Sequence, residues 1–202
     1  MNPVAILEQY RSLRLSFFTW RSSSGIAVNT ALALLFTFLT ALCARISFPL
    51  PWTPVPVTGQ TFAVLLAGAV LGRWGAASQA LYMGLGLAGL PWFASCSGGS
   101  PGPTAGYLAG FIIAPLVIGY AIDRHPPMRG IKQLIILMAA TDIIIIHGLG
   151  TAWLYIWLTF ILHGNISIPV ALSMGSIPFI PGDAIKALLA AVCAYMAVPK
   201  NS

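Results

Sequence analysis

Six long apolar segments fill almost the whole chain: Gly25 to Ile46, Thr58 to Leu71, Gly75 to Phe93, Thr104 to Ile122, Ile131 to Leu162 and Gly182 to Val198. Each is bounded by charge, Pro or Gly. A transmembrane helix takes about 20 mostly apolar residues, so 202 residues hold one compact bundle of such helices and little else. Only 7% of the residues are charged and 58% are hydrophobic, whereas a soluble domain carries about 25% charged residues to face water. Lipid must therefore replace water around most of the chain. The expected fold is an all-α membrane protein, a compact bundle of six transmembrane helices. Counts of five and seven are compatible with the apolar runs, but six suits the charges best. The second segment is short for a full span and is expected to tilt or to begin inside the protein. The fifth is long enough for a steep tilt or a bend near Gly148 and Gly150.

With six helices, Arg11, Arg14, Arg21, Arg73, Arg124, Arg129, Lys132 and Lys200 fall on one face, leaving only Arg45 and Lys186 near the other. Basic residues gather on the cytoplasmic side of membrane proteins, so both termini are expected in the cytoplasm and the chain in the cell's inner (plasma) membrane. In a soluble protein a net charge of +6 would suggest nucleic acid. Here the bases are sparse and lie at helix ends, which serves topology, and no nucleic-acid partner is expected. Residues 1–24 mix Leu7, Leu13, Phe17, Phe18 and Trp20 with three arginines and are expected to lie along the cytoplasmic lipid surface. The apolar run after them outlasts a signal peptide, so no cleavage is expected. Residues 25–198 form the single membrane domain, and 199–202 a short cytoplasmic tail.

Small residues recur at four-residue spacing: Ala33, Thr37 and Ala41 in the first segment, and Ala76, Ala80, Gly84 and Ala88 in the third. Such stripes let helix backbones approach closely. For the first segment, internal packing and docking of another membrane subunit are equally good explanations. The inner connections are short and basic. The outer ones, Ile46 to Val57, Pro91 to Pro103 and His163 to Pro181, are long, uncharged and rich in Pro, Gly, Ser and Trp. That asymmetry suits capture of a solute from outside.

Gly84-Leu-Gly86-Leu-Ala-Gly89 fits a dinucleotide fingerprint but lies inside an apolar segment with no preceding strand, and it carries no weight. Asn165-Ile-Ser167 is a chance sequon, and no Walker A sequence exists. Cys43, Cys96 and Cys193 match no metal or redox spacing. The four acids are Glu8, Asp123, Asp142 and Asp183, none at a metal-ligand spacing from another acid or a histidine. Asp142 and His147 are five apart, which separates them by about 140° on an α-helix. Ionisable groups inside a membrane hint at function, yet the expectation is an interfacial Asp142 and a neutral, singly bonded His147. Neither an enzyme nor a resident metal or cofactor is expected.

Pro178-Phe-Ile-Pro181-Gly182-Asp183-Ala-Ile-Lys186 is the sharpest site. Pro181 and Gly182 end a loop, and Asp183 is placed to cap the last helix. Lys186, three residues on, shares its face. A cation at a helix N-terminus opposes the helix dipole, so a compensating anion is implied, either Asp183 or a bound carboxylate. The bland explanation is a cap plus a lysine snorkelling to the interface. The two are evenly matched on physics alone.

These residues, with Pro54-Val-Pro-Val-Thr58-Gly-Gln60-Thr-Phe62 and with Phe93 through Ser97-Gly-Gly99 and Gly102-Pro-Thr104-Ala-Gly106-Tyr107, closely resemble the BioY family, the substrate-binding components of biotin transporters of the energy-coupling factor type. The resemblance implies six membrane helices, a biotin site near the outer face, and a lid formed by Ile46 to Val57. It implies that Asp183 accepts from a ureido N–H while Lys186 answers the ureido oxygen or the carboxylate. Thr58 and Gln60 would supply neutral polar groups, Trp52, Phe62, Trp92 and Tyr107 apolar walls, and the Ser97-Gly98-Gly99 backbone a close approach. It further implies a transmembrane coupling protein and two ATPases as partners, docking on Ala33, Thr37 and Ala41, with biotin as transported substrate and no cofactor. Thr37 interrupts the family's alanine stripe, and the loop Ser97 to Pro103 lacks an Arg or Asn to hold a carboxylate. The competing function is an ion-coupled or solitary small-solute carrier using Asp142 and His147.

Overall fold

The computed structural model describes residues 3–94 and 99–199. In chain order the helices are α1 (Pro3–Ser23), α2 (Ile26–Arg45), α3 (Gln60–Leu71), α4 (Arg73–Leu87), α5 (Ala105–Arg124), α6 (Ile131–Ile161), α7 (Ile168–Gly175) and α8 (Ile180–Ala197). Two strands, β1 (Ser47–Leu50) and β2 (Thr53–Thr58), lie between α2 and α3. Four helical stretches are long and apolar enough to cross a membrane: α2, α5 with its preceding turn (Gly102–Arg124), α6 and α8.

α3 has 12 residues, about 18 Å at 1.5 Å per residue, against a hydrocarbon core of about 30 Å. It lies against α2, α4, α5 and α8, and Ala63, Val64, Leu65, Ala67 and Ala69 are fully buried. A helix apolar on every side belongs inside a bundle, and α3 begins inside the protein, beneath the hairpin. It approaches α5 too closely for side chains: a Cβ on Gly68 would stand 2.8 Å from Pro115 Cα, and one on Gly119 2.6 Å from Gly72 Cα. Gly72, at φ 60° and ψ −133°, turns the chain into α4 through backbone space open only to glycine.

The first outer connection, expected as a loop, is a two-stranded hairpin within an otherwise helical bundle. β1 and β2 pair antiparallel in register Ser47↔Thr58, Phe48↔Val57 and Leu50↔Thr53, with an irregularity between Phe48 and Leu50. Thr53 and Val55 point inward and are buried, and the prolines occupy alternate positions. Such residues are tolerated because a two-stranded ribbon consists only of edges. The third outer connection likewise contains α7.

One end of the molecule gathers the basic residues. Tyr10 donates to Met196 O at 2.6 Å, and the Arg14 guanidinium donates to the carbonyls of Tyr195 and Val198. Arg129 donates from Nε to Ile122 O at 2.9 Å and from Nη1 to Pro199 O at 3.5 Å. These cations meet carbonyls at the ends of α5 and α8, where the helix dipoles are negative. Arg73 and Arg124 line one cavity at this end. The N-terminal helix and the end of α8 thus share it.

Ala33, Thr37 and Ala41 are buried, and Thr37 Oγ1 donates to Ala33 O at 2.9 Å and to Ser78 O of α4 at 2.8 Å. The stripe is an internal α2–α4 contact, not an exposed docking face. The lipid-facing side of α2 carries Leu34, Leu35, Phe38 and Leu42 instead.

Candidate functional site

At the hairpin end, β2, α3, α4, α5, α6 and α8 converge on a cavity of about 60 Å³. Its polar floor comes from Asp183 and Lys186 on α8 and His147 on α6. Tyr82, Phe93, Tyr107, Phe111 and Phe179 form apolar walls, and Val55, Pro56, Thr58 and Gln60 close it from the hairpin side.

Asp183 does not cap its helix. α8 begins at Ile180 with Pro181 in its first turn, where a missing N–H costs nothing. The Asp183 N–H already donates to Phe179 O at 2.9 Å, and its side chain turns into the bundle. Lys186 Nζ donates to Oδ1 at 2.6 Å and His147 Nε2 stands 2.8 Å from Oδ2. Asp142 Oδ2 is 4.0 Å from the same nitrogen. Asp142, His147 and Asp183 are 2%, 5% and 5% exposed.

This convergence overturns the expectations that Asp142 is interfacial and that His147 makes one hydrogen bond. Residues 142–147 form a π-helical turn. Widening the repeat from i+4 to i+5 returns Asp142 and His147 to one face, where α-helical geometry sets them far apart. The π-helical turn ends immediately before Gly148, where α-helical geometry resumes.

A second hydrogen-bond chain holds the neutral wall. Gln60 Nε2 donates to Tyr82 Oη at 2.8 Å, and Tyr82 Oη donates to Trp92 O at 2.9 Å. The Tyr82 ring stacks on Trp92 and meets Phe93 edge-on. Arg45, at the end of α2, donates to Pro91 O, so the segment over the cavity is tied down twice. Tyr107 Oη donates to Gly175 O at 2.6 Å. It reaches α7 because Gly150 and Gly175 leave room: a Cβ on Gly150 would strike the Tyr107 ring, and one on Gly175 would stand 2.8 Å from its hydroxyl.

Of the residues singled out from sequence, Thr58, Gln60, Tyr107, Asp183 and Lys186 line the cavity. Phe62 is half-buried and packs on the core. Trp52 sits at the hairpin turn, 58% exposed. Trp92 contributes through its ring against Tyr82 and through its carbonyl. Gly99 is exposed, and Ser97 and Gly98 lie outside the described residues. Tyr82, Phe111, Phe179 and the inward role of His147 were missed. Tyr82 had no local signal, being one aromatic in an apolar run.

Asp142, His147 and Asp183 each offer one ligand atom, all within 4.8 Å of one another. However, Nε2 and Oδ2 stand at hydrogen-bond distance, and the Lys186 ammonium already sits on Asp183. The set therefore reads as a hydrogen-bonded charge cluster. What the cavity offers is recognition: a carboxylate flanked by an ammonium and a histidine at one end and aromatic surface around it.

A model of the BioY family matches residues 15–201. The chain is 38% identical over 164 residues to the biotin transporter BioY of Thermotoga maritima, covering 79% of this chain and 89% of that one. It is 40% identical over 141 residues to the probable biotin transporter BioY of Methanothermobacter thermautotrophicus, covering 67% and 89%. The solved structure of the S-component for biotin from an ECF-type ABC transporter superposes with a TM-score of 0.73 at 25% identity, over 84% of this chain and 89% of that one.

Proposed function

Because this chain belongs to the BioY family, we propose that it captures biotin at the hairpin end of the bundle and serves biotin uptake as the substrate-specific subunit of an energy-coupling factor transporter. The observation that carries this is the Asp183–Lys186 pair at the floor of an aromatic-walled cavity. Biotin presents a ureido group with two N–H donors and one carbonyl. Asp183 keeps lone pairs to accept from an N–H, Lys186 has further N–H groups to donate to the carbonyl, and the thiophane ring and alkyl tail suit Tyr82, Phe93 and Tyr107. Gln60 and Thr58 supply polar contact from the hairpin side. The hairpin lies over this cavity through Val55, Pro56 and Thr58 and opens to admit the ligand.

Six crossings, α2, α3, α4, α5, α6 and α8, with both termini in the cytoplasm of a plasma-membrane protein, suit the basic residues at one end. As a substrate-binding subunit with no Walker A sequence, the chain would work with ATPases and a coupling protein supplied in trans. The work is binding and transport, and biotin leaves unaltered.

Calorimetric titration of the detergent-purified protein with biotin tests this. Saturable binding is expected; none by folded protein overturns it. The nearness of Asp142 and His147 to Asp183 favours one second reading, ion-coupled carriage. It predicts that a protonophore abolishes uptake in cells with ATP held constant.

A further inference from the structure

The hydrogen-bond partners of His147 determine its proton count. Gly175 O lies 3.2 Å from Nδ1, and a carbonyl oxygen only accepts, so Nδ1 carries hydrogen. A neutral imidazole has a single N–H. Nε2 would then present a bare lone pair to Asp183 Oδ2 at 2.8 Å, two acceptors in contact with nothing between them. A proton must lie there. Asp183 already accepts from Lys186 through its other oxygen, which makes it the acceptor on both sides and places the proton on the ring.

The surrounding charges close that account. Asp142 faces His147 from its own helix, Asp183 and Lys186 from α8, and Tyr107 from α5 with its ring edge-on; α7 contributes the Gly175 carbonyl. Two carboxylates stand against one ammonium and one imidazolium. Asp142 stands beside the ring at 4.0 Å from Nε2, with Oδ1 buried and without a hydrogen-bond partner. The π-helical turn exists where it brings that carboxylate beside the ring, and such turns concentrate at functional sites. A merely packed core histidine needs one partner and no counter-charge.

We propose that His147, donating from both ring nitrogens, is the positioning residue that holds the Asp183 carboxylate for the ligand. The proposal rests on Asp183 being a biotin contact. With Lys186 and His147 fixing both oxygens from either side, the carboxylate cannot rotate, and its remaining lone pairs keep one direction toward the cavity.

Full-length protein in detergent, titrated with biotin as H147L, H147Q and D183N, separates the two layers. H147L removes the donor and is expected to weaken biotin binding about 10- to 100-fold, the effect of losing one hydrogen bond to a charged group. H147Q retains an N–H able to reach Asp183 and is expected to recover most of that loss. Histidine ¹⁵N spectra of the unmodified protein, assigned by the signals missing in H147Q, should show both ring nitrogens of His147 protonated. Unchanged affinity in H147L, or a His147 spectrum with one bare nitrogen, overturns the positioning role while D183N still loses binding. If D183N binds as the unmodified protein does, Asp183 is no contact, and the proposal falls with that reading.

Discussion

His147 on α6 and Asp183 on α8 face each other across 2.8 Å, a polar tie between two membrane-length helices at the floor of the cavity. Lys186 completes it from one turn further along α8. Removing one member of a buried charge pair leaves the other uncompensated, at about 3–5 kcal/mol. D183N and K186A should therefore each weaken biotin binding at least about 100-fold, or about 2.7 kcal/mol, and lower the unfolding temperature. Because the two residues are coupled, the double variant should lose less stability than the sum of the single losses. Calorimetry and thermal unfolding in detergent check both, and additive losses would mean the pair is not coupled.

Tyr82→Phe removes one hydroxyl that serves two partners, the Gln60 amide and the Trp92 carbonyl. A buried polar group left unpaired costs about 1–3 kcal/mol. The segment over the cavity also loses one of its two ties, so biotin should dissociate faster. Release of a labelled biotin measured by stopped flow tests this; an unaltered rate would show that the segment does not hold the ligand in.

Gly150→Ala puts a methyl into the Tyr107 ring and should destabilise by about 1–3 kcal/mol through overpacking. Gly84→Ala provides the contrast. It sits in α4 with nothing within 4 Å of its added Cβ, and the gain in helix propensity should stabilise it by up to about 1 kcal/mol. Opposite shifts in unfolding temperature are expected, and equal shifts would contradict the packing described.

Ala33→Leu and Ala41→Leu force bulk into the α2–α4 contact. Their expected effect is lower stability, with folding and binding failing together. Variants that fold and bind normally yet cannot support uptake would show that the stripe becomes accessible to a partner.

If the hairpin is the lid, its amides should exchange with deuterium more slowly once biotin is bound. Mass spectrometry of the peptide spanning Ser47–Thr58 reports this directly. Identical exchange with and without biotin would exclude the hairpin as the moving part.

Length and charge made the long helices legible, because each is an unbroken apolar run closed by Gly, Pro or a base. The short α3 was legible as a helix that begins inside for the same reason. The hairpin was hidden by its prolines, which argue against strands until one sees that a two-stranded ribbon has only edges. Asp183 and Lys186 stand out as charges in an apolar context, but Pro181-Gly182 reads as the end of the loop, whereas Pro181 already lies in the first turn of α8. Asp142 and His147 were noticed and then separated, since a 3.6-residue repeat sets them far apart on the helix. No local residue pattern announces a π-helical turn, and only tertiary packing shows that it forms. Ala33, Thr37 and Ala41 were legible as a close-packing surface, but not which helix they would meet.

The proline spacing of the hairpin also bears on what its unpaired edges can do. Pro49 in β1 and Pro54 and Pro56 in β2 have no N–H to offer. An exposed strand edge ordinarily templates pairing with other chains. Here a strand from a neighbouring molecule would find no donor at Pro49, Pro54 or Pro56. The edges of the hairpin are thus poor templates for sheets between molecules.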